Sequence, residues 1–202
     1  MKFLITLFFS SFFIAVHAQE KPDMVNTLQE FKNKSHIDET DSTMLELYHQ
    51  FYIQTLQNDE PAIRPELINQ IKTLMSAPRT KNLYLLMSIL MYQEAILASA
   101  QKKIKLEPET QLRLINFIEQ EFQSLYNQTP AIVYIFKTES LQQFGLSPEL
   151  LKNMEDGLKA YPECIPLKVY LFNNYKNEAV KKDLLQNHSS HWLVKLQPAL
   201  AN

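Results

Sequence analysis

Glycine and cysteine are nearly missing from this chain: two glycines and one cysteine among 202 residues, with a single tryptophan. Two glycines cannot supply a phosphate-cradling loop or the sharp turn of a nucleophile elbow. One cysteine excludes an internal disulfide framework. No stretch alternates apolar and polar residues long enough for a strand, and no hairpin turn joins two such stretches. Lys and Arg number 20 against 22 Asp and Glu, without a basic block or aromatic-basic interleaving. Nucleic acid therefore finds no electrostatic footprint. A basic amphipathic helix for a membrane surface is missing too.

What is present begins with an apolar run. Lys2 makes a positive n-region. Phe3 to Val16 is apolar apart from Thr6, Ser10 and Ser11, and Val16-His17-Ala18 has the small outer residues of a cleavage site. The expectation is a signal peptide over residues 1–18, cut after Ala18. A membrane anchor is the lesser alternative, because the run is shorter than the ~20 residues that span a bilayer. No cysteine follows it to carry a lipid. Cleavage leaves residues 19–202 as one domain, exported to a periplasm or secreted. Loss of Lys2 moves the formal charge from −2 to −3.

Ten prolines punctuate the rest, none inside an apolar-periodic segment. Proline suits the first helical turn and disrupts the interior, so it marks corners. Met24, Val25, Leu28 and Phe31 give a weak first helix. Thr43 with Glu46 has capping-box spacing. The helix it opens carries Met44, Leu47, Tyr48, Phe51, Tyr52 and Leu56 on one face. Pro65 starts a helix with Leu67, Ile68, Ile71, Leu74 and Met75 at 3.6-residue spacing. Leu83 to about Ile104 is the longest expected helix. It is apolar from Leu83 to Met91 except at Ser88, which makes it the expected centre of the core. Lys102, Lys103 and Lys105 suit its C-terminal end, where the backbone dipole favours cations.

Thr129-Pro130 and Ser147-Pro148 each read as an N-cap followed by Pro at the first helical position. Gly145 sits where a left-handed C-cap belongs. Gly157 lies inside a helix, where Gly costs ~1 kcal/mol against Ala, so a neighbouring helix should approach closely there. The most informative pattern is a stretch that recurs after 36 residues. Leu114, Ile115, Ile118, Phe122 and Leu125 match Leu150, Leu151, Met154, Leu158 and Tyr161. Pro130, Val133, Tyr134 and Phe136 then match Pro166, Val169, Tyr170 and Phe172. A fixed period in this range marks stacked supersecondary units. Leu67-Ile68-Asn69-x-Ile71 is a weaker echo of Leu114-Ile115-Asn116-x-Ile118. Ala179 to Leu196, with Trp192, reads as a shortened final hairpin.

Gly157-Leu158-x-x-x-Pro162 has the small-large-x-x-x-Pro spacing that ends a tetratricopeptide repeat. Leu171 and Tyr175 fall on packing positions of the next unit, and Tyr134 takes an aromatic position of the preceding one. Over residues 130–175 the chain resembles that family in a degenerate form. Lys168 and Phe172 replace a usual aromatic and a usual small residue, and Leu150 replaces another small one. The resemblance implies an all-α array of antiparallel helical hairpins stacked as a short right-handed superhelix. It also implies that the helices opening at Pro130 and Pro166 line a concave side. Carried across on that register, the binding residues are Glu139, Gln142 and Gln143 in one helix and Asn173, Lys176 and Asn177 in the next.

Motifs for chemistry are thin. Ser99-x-x-Lys102 matches the first motif of serine penicillin-binding enzymes but has no Lys-Thr-Gly or Ser-Asp-Asn partner. Met75, Met87 and Met91 read as core rather than a soft-metal site. His188 and His191 read as surface histidines, with no third ligand at metal spacing. Glu119 and Glu155 recur at one repeat position, which accounts for them better than acid-base catalysis. Cys164 reads as a small buried hydrophobe at a corner. Sequons begin at Asn33, Asn127 and Asn187. The sequence thus points to an exported, non-catalytic module that binds a protein or peptide. It calls for no cofactor, metal, nucleic acid or membrane partner. A structural or self-associating subunit is the alternative, and an all-helical enzyme comes after that.

Overall fold

The computed structural model describes residues 23–101, 107–145 and 147–200. The expected signal peptide and its cleavage site lie outside the described residues, as do Lys102, Lys103 and Lys105. Among the described residues every regular element is helical, and the only β feature is an isolated bridge between His36 and Lys81. Helix α1 spans Met24–Lys34 and α2 spans Thr43–Tyr52; α2 runs into a π-helical turn, Ile53–Gln57. Then come α3 (Pro65–Ser76), α4 (Leu83–Ala100), α5 (Pro108–Tyr126), α6 (Ala131–Gln142), α7 (Pro148–Ala160) and α8 (Ile165–Tyr175). Helices α9 (Glu178–Asn187) and α10 (Trp192–Lys195) close the chain, with a 3-10 turn at Pro198–Leu200.

The corners follow the punctuation. Pro65, Pro108 and Pro148 each stand in the first turn of their helix, and the Ser147 side chain accepts from Leu150 N at 3.1 Å. Two expected caps shift by one residue. Pro130, not Thr129, is the N-cap of α6, and the Thr129 hydroxyl instead accepts from Gln123 Nε2 at 2.8 Å. Ser42, not Thr43, caps α2, and its hydroxyl bonds the Glu46 carboxylate. Gly145 has φ of 87°, as a left-handed cap requires. With glycine so scarce, the left-handed corners elsewhere fall to Asn82 (φ 53°), Asn127 (φ 50°) and Lys176 (φ 53°). Asparagine tolerates this region better than most side chains.

Asn82 does more than turn the chain. It is fully buried. Its amide accepts from Asp38 N at 3.0 Å and donates to Asp38 O at 2.7 Å and to Tyr126 Oη at 3.0 Å. Its backbone N–H donates to His36 O at 2.8 Å. One side chain thus joins the α1–α2 connection, the start of α4 and the end of α5.

The helices enclose one large hydrophobic cluster built from α1 to α8 and a smaller one at the C-terminal end. The most enclosed helix is α6, with Ala131, Ile132, Val133, Ile135, Phe136, Thr138, Ser140 and Leu141 all buried. Helix α4 buries Tyr84, Leu85, Leu86, Ile89 and Tyr92 but leaves Leu83, Met87, Leu90 and Met91 half-exposed, so it flanks the core rather than centring it. Helix α8 is a partition. Leu167 and Leu171 belong to the large cluster, while Ile165, Val169 and Phe172 belong to the small one with Leu184, Leu193, Val194 and Leu200.

Burial agrees at some positions 36 apart and not at others: Ile115 and Phe122 are fully buried, whereas Leu151 and Leu158 are half-buried. Leu114 and Leu150 are both 0 % exposed, and Ile118 and Met154 are 1 % and 0 %. Val133 and Val169 are buried alike, and Tyr134 and Tyr170 are both half-buried. Phe136 and Phe172 are both buried but in different clusters, so they do not share one core. Glu119 and Glu155 also diverge: Glu119 is half-buried and paired with Lys137 Nζ at 2.7 Å, whereas Glu155 is exposed. Gly157 has the close neighbours its position in α7 demands. A Cβ there would lie 2.6 Å from Leu167 Cδ1 and 3.0 Å from Tyr134 Cγ.

Gly157→Ala gains about 1 kcal/mol of helix propensity but forces the Tyr134 ring aside, and such overpacking costs about 1–3 kcal/mol. The expected outcome in urea unfolding is a net loss, on the order of 1 kcal/mol. Asn82→Ala removes three buried hydrogen bonds and should cost more, about 2–4 kcal/mol at ~1 kcal/mol or more per bond left unmade. A neutral Asn82→Ala would show that the α1–α2 connection holds without it.

Candidate functional site

The six residues assigned to a binding face sit at the C-terminal ends of α6 and α8, and most have partners within the chain. Tyr170 Oη donates to Glu139 Oε1 at 2.6 Å, tying α8 to α6. Gln143 Nε2 donates to Gln111 Oε1, and Gln111 Nε2 donates to Tyr92 Oη at 2.8 Å. Asn173 Nδ2 donates to Gln197 Oε1 at 2.8 Å, holding the C-terminal turn against α8. Lys176 is exposed, with Nζ 5.3 Å from the centre of the Phe172 ring. Asn177 is the N-cap of α9 and accepts from Val180 N at 3.1 Å. Gln142 is half-buried on the last turn of α6. Next to it, Phe144 is 48 % exposed, more than any other large apolar side chain among the described residues.

The electrostatics of this end follow from burial. Loss of solvent raises the Glu139 carboxyl above the usual range, against the hydrogen bond from Tyr170 that favours its charged form. Burial also raises the Tyr170 and Tyr92 hydroxyls, and the neighbouring Glu139 charge adds to both. Tyr92 stacks on Phe136 with ring centres 4.6 Å apart.

A second place is a cleft of about 290 Å³ between the π-helical turn and the α7–α8 corner, lined by Tyr52, Ile53, Gln57, Tyr161, Glu163 and Cys164 among others. Gln57 organises it. Its Oε1 accepts from Tyr52 Oη at 2.6 Å and from Ile165 N at 3.1 Å, while Nε2 donates to Glu163 O at 2.7 Å. Cys164 is fully buried, and burial pushes its thiol up to about 11. Thiolate is the nucleophile and the metal ligand, so this environment disfavours both roles. Beyond the corner, buried Lys168 pairs with Asp183 Oδ2 at 2.7 Å and Glu163 Oε2 at 3.3 Å. Its Nζ lies 3.4 Å from His188 Nε2.

Of the two histidines read as surface residues, His188 is half-buried and His191 is fully buried. Met75 is exposed, whereas Met87 and Met91 are half-buried against the core. Among the described residues no three His, Cys, Asp or Glu side chains converge in a way that could hold a metal ion. The Ser99-x-x-Lys102 pair ends outside the described residues. Asn33, Asn127 and Asn187 are all exposed. No described helix is long and apolar enough to cross a membrane. No family model, curated protein or solved structure matches the chain.

Sequence reasoning missed Gln57, Gln111 and Gln197. Each is a glutamine whose partner lies 19 to 108 residues away, so no spacing pattern could flag it. The raised Glu139 carboxyl gives a pH prediction. A carboxyl whose folded value lies above its unfolded value adds stability below the unfolded value, and that share is lost as pH rises through the folded one. Glu139→Gln keeps an acceptor for Tyr170 without the half-buried charge. It should raise the melting temperature at pH 7.5 by roughly 2–4 °C, about 1 kcal/mol for a chain this size. Near pH 4 the gap should close. Equal melting at both pH values would show that Glu139 ionises at no cost in the fold.

Proposed function

We propose that this protein is an exported, non-catalytic interaction module, a TPR-like array of helical hairpins whose partner is a protein or peptide. The single observation that carries the reading is the open end of α6, where exposed Phe144 stands beside Gln142 and Gln143. Lys176 and Asn177 are the exposed residues at the end of α8. An aromatic with amide neighbours suits a protein surface, since the ring supplies apolar area and the amides satisfy backbone groups. The 36-residue period and the Gly157-Leu158-x-x-x-Pro162 ending support the array. So does the packing of α6 and α8 on each other and of both on α7.

The inner side of such an array is partly taken by the chain itself. Helix α2 packs on α6, and the π-helical turn packs on α8 at its first turn. A partner would therefore meet the array at the C-terminal ends of α6 and α8. Glu139 and Asn173, engaged with Tyr170 and Gln197, shape that end, while Gln142, Phe144 and Lys176 are the groups offered to a partner.

Export rests on the apolar run at residues 3–16 and the Val16-His17-Ala18 site. Intact mass of the protein from the exported fraction should correspond to a chain starting at Gln19, and a retained Met1 would overturn it. For binding, crosslinking in that fraction identifies the partner. Gln142→Ala combined with Phe144→Ser should then weaken capture by about tenfold or more, the ~1.4 kcal/mol or more of a modest hot spot. The melting temperature should stay unchanged. Undiminished capture by the double variant would remove this end of the array as the binding face.

A further inference from the structure

His191 joins the C-terminal segment to the π-helical turn that follows α2. It is 0 % exposed. Its Nδ1 accepts from Leu193 N at 3.2 Å, so in the neutral ring the proton sits on Nε2, which faces Leu56 O at 3.1 Å and donates to it. The same segment adds Trp192 N to Asp59 O at 3.2 Å and Ser190 Oγ to Asp59 Oδ2 at 2.7 Å. Residues 190–193 are thus clasped onto residues 56–59, which continue the π-helical turn. We propose that this C-terminal segment is an acid-sensitive latch, closed while His191 is neutral and released when His191 gains a second proton.

The reason is the hydrogen-bond pattern. A proton on Nδ1 turns the acceptor of Leu193 N–H into a donor, setting two donors against each other inside the protein. The charge would also be buried. Burial therefore lowers the proton affinity of His191, and this outweighs the Leu56 carbonyl and the Asp59 carboxylate, which favour the charged ring. The groups that face it are Asp59 from the turn and His188 from its own segment. His188 in turn meets charges of both signs: Lys168 Nζ at 3.4 Å, Asp183 Oδ2 at 3.8 Å and Glu163 Oε2 at 3.9 Å. It is the control rather than the switch.

The sign follows from linkage. A histidine with a lowered folded value binds fewer protons folded than unfolded. Its stabilising share is complete above the ordinary histidine range and is lost as pH falls, by about tenfold in the opening equilibrium for each unit of lowering. Release would free the π-helical turn from one of its two anchors, leaving the Gln57 bonds to Glu163 and Ile165.

Hydrogen exchange of residues 190–197, with Trp192 fluorescence as a second readout, tests the latch between pH 7.5 and 4.5. Trp192 is the only tryptophan, and its ring centre lies 6.0 Å from that of His191. In the wild type, exchange in 190–197, taken relative to the intrinsic rate at each pH, should rise on acidification while α7 stays protected. His191→Gln, which does not titrate, should show no such rise. His188→Gln should behave as wild type. Asp59→Asn, which removes both the carboxylate that stabilises a charged ring in the closed latch and the charged acceptor of Ser190, should move the half-open point to higher pH. It keeps the test decisive if His191→Gln does not fold. The latch is overturned by an unchanged half-open point in Asp59→Asn, by the same acid response in His191→Gln, by loss of the response in His188→Gln, by opening of α7 together with the segment, or by no opening in the wild type.

Discussion

The C-terminal half depends on one close approach. Where α7 passes between Tyr134 of α6 and Leu167 of α8, there is room for a hydrogen and not for a methyl group. Three helices can share one contact only because Gly157 gives up its side chain. The penalty for glycine in a helix interior is local, whereas the packing it permits spans α6, α7 and α8. Around this point Leu150, Met154, Leu167 and Leu171 complete the large cluster. Helix α8 then has a second apolar face available for the small cluster beneath α9 and α10. The partition of the core in two is a consequence of α8 being apolar on both sides.

Much of the architecture was legible because proline and periodicity are local signals. Pro65, Pro108 and Pro148 marked true first turns, Ser147 capped as its hydroxyl allows, and Gly157 announced a close neighbour. Positions 36 apart agree in depth at Leu114 and Leu150 and at Val133 and Val169, but not at Ile115 and Leu151 or at Phe122 and Leu158. The errors lie where two local signals compete or where the decisive partner is distant. Pro130 took the cap that Thr129 could have filled, since Thr129 was drawn to Gln123. His188 and His191, three positions apart with no third ligand at metal spacing, look in sequence like surface histidines by a turn. In the fold the partner of His191 is a carbonyl 135 residues earlier. The π-helical turn left no mark either, as Leu56 continues the helical spacing of α2 without interruption.

The candidate face was legible in position more than in role. Four of its six residues make contacts that hold the fold: Glu139 with Tyr170, Gln143 with Gln111, Asn173 with Gln197, and Asn177 at the start of α9. A polar helix face looks the same in sequence whether it meets solvent, a partner or another part of the chain. Phe144 lies one residue beyond the polar pair. No period singled it out, because an exposed aromatic follows no helical stripe.

The bonds from Asp59 to Ser190, from Gln57 to Ile165 and from Leu56 to His191 span 131, 108 and 135 residues. Such separations carry a large loop-closure entropy, and it must be met before the contacts can repay it. During synthesis, residues 43–59 emerge long before the corner and tail that clasp them. The nascent N-terminal half therefore cannot settle into its final packing until nearly the whole chain has left the ribosome. Completion of the fold therefore falls late in synthesis, when an early segment meets the corner and tail that close over it.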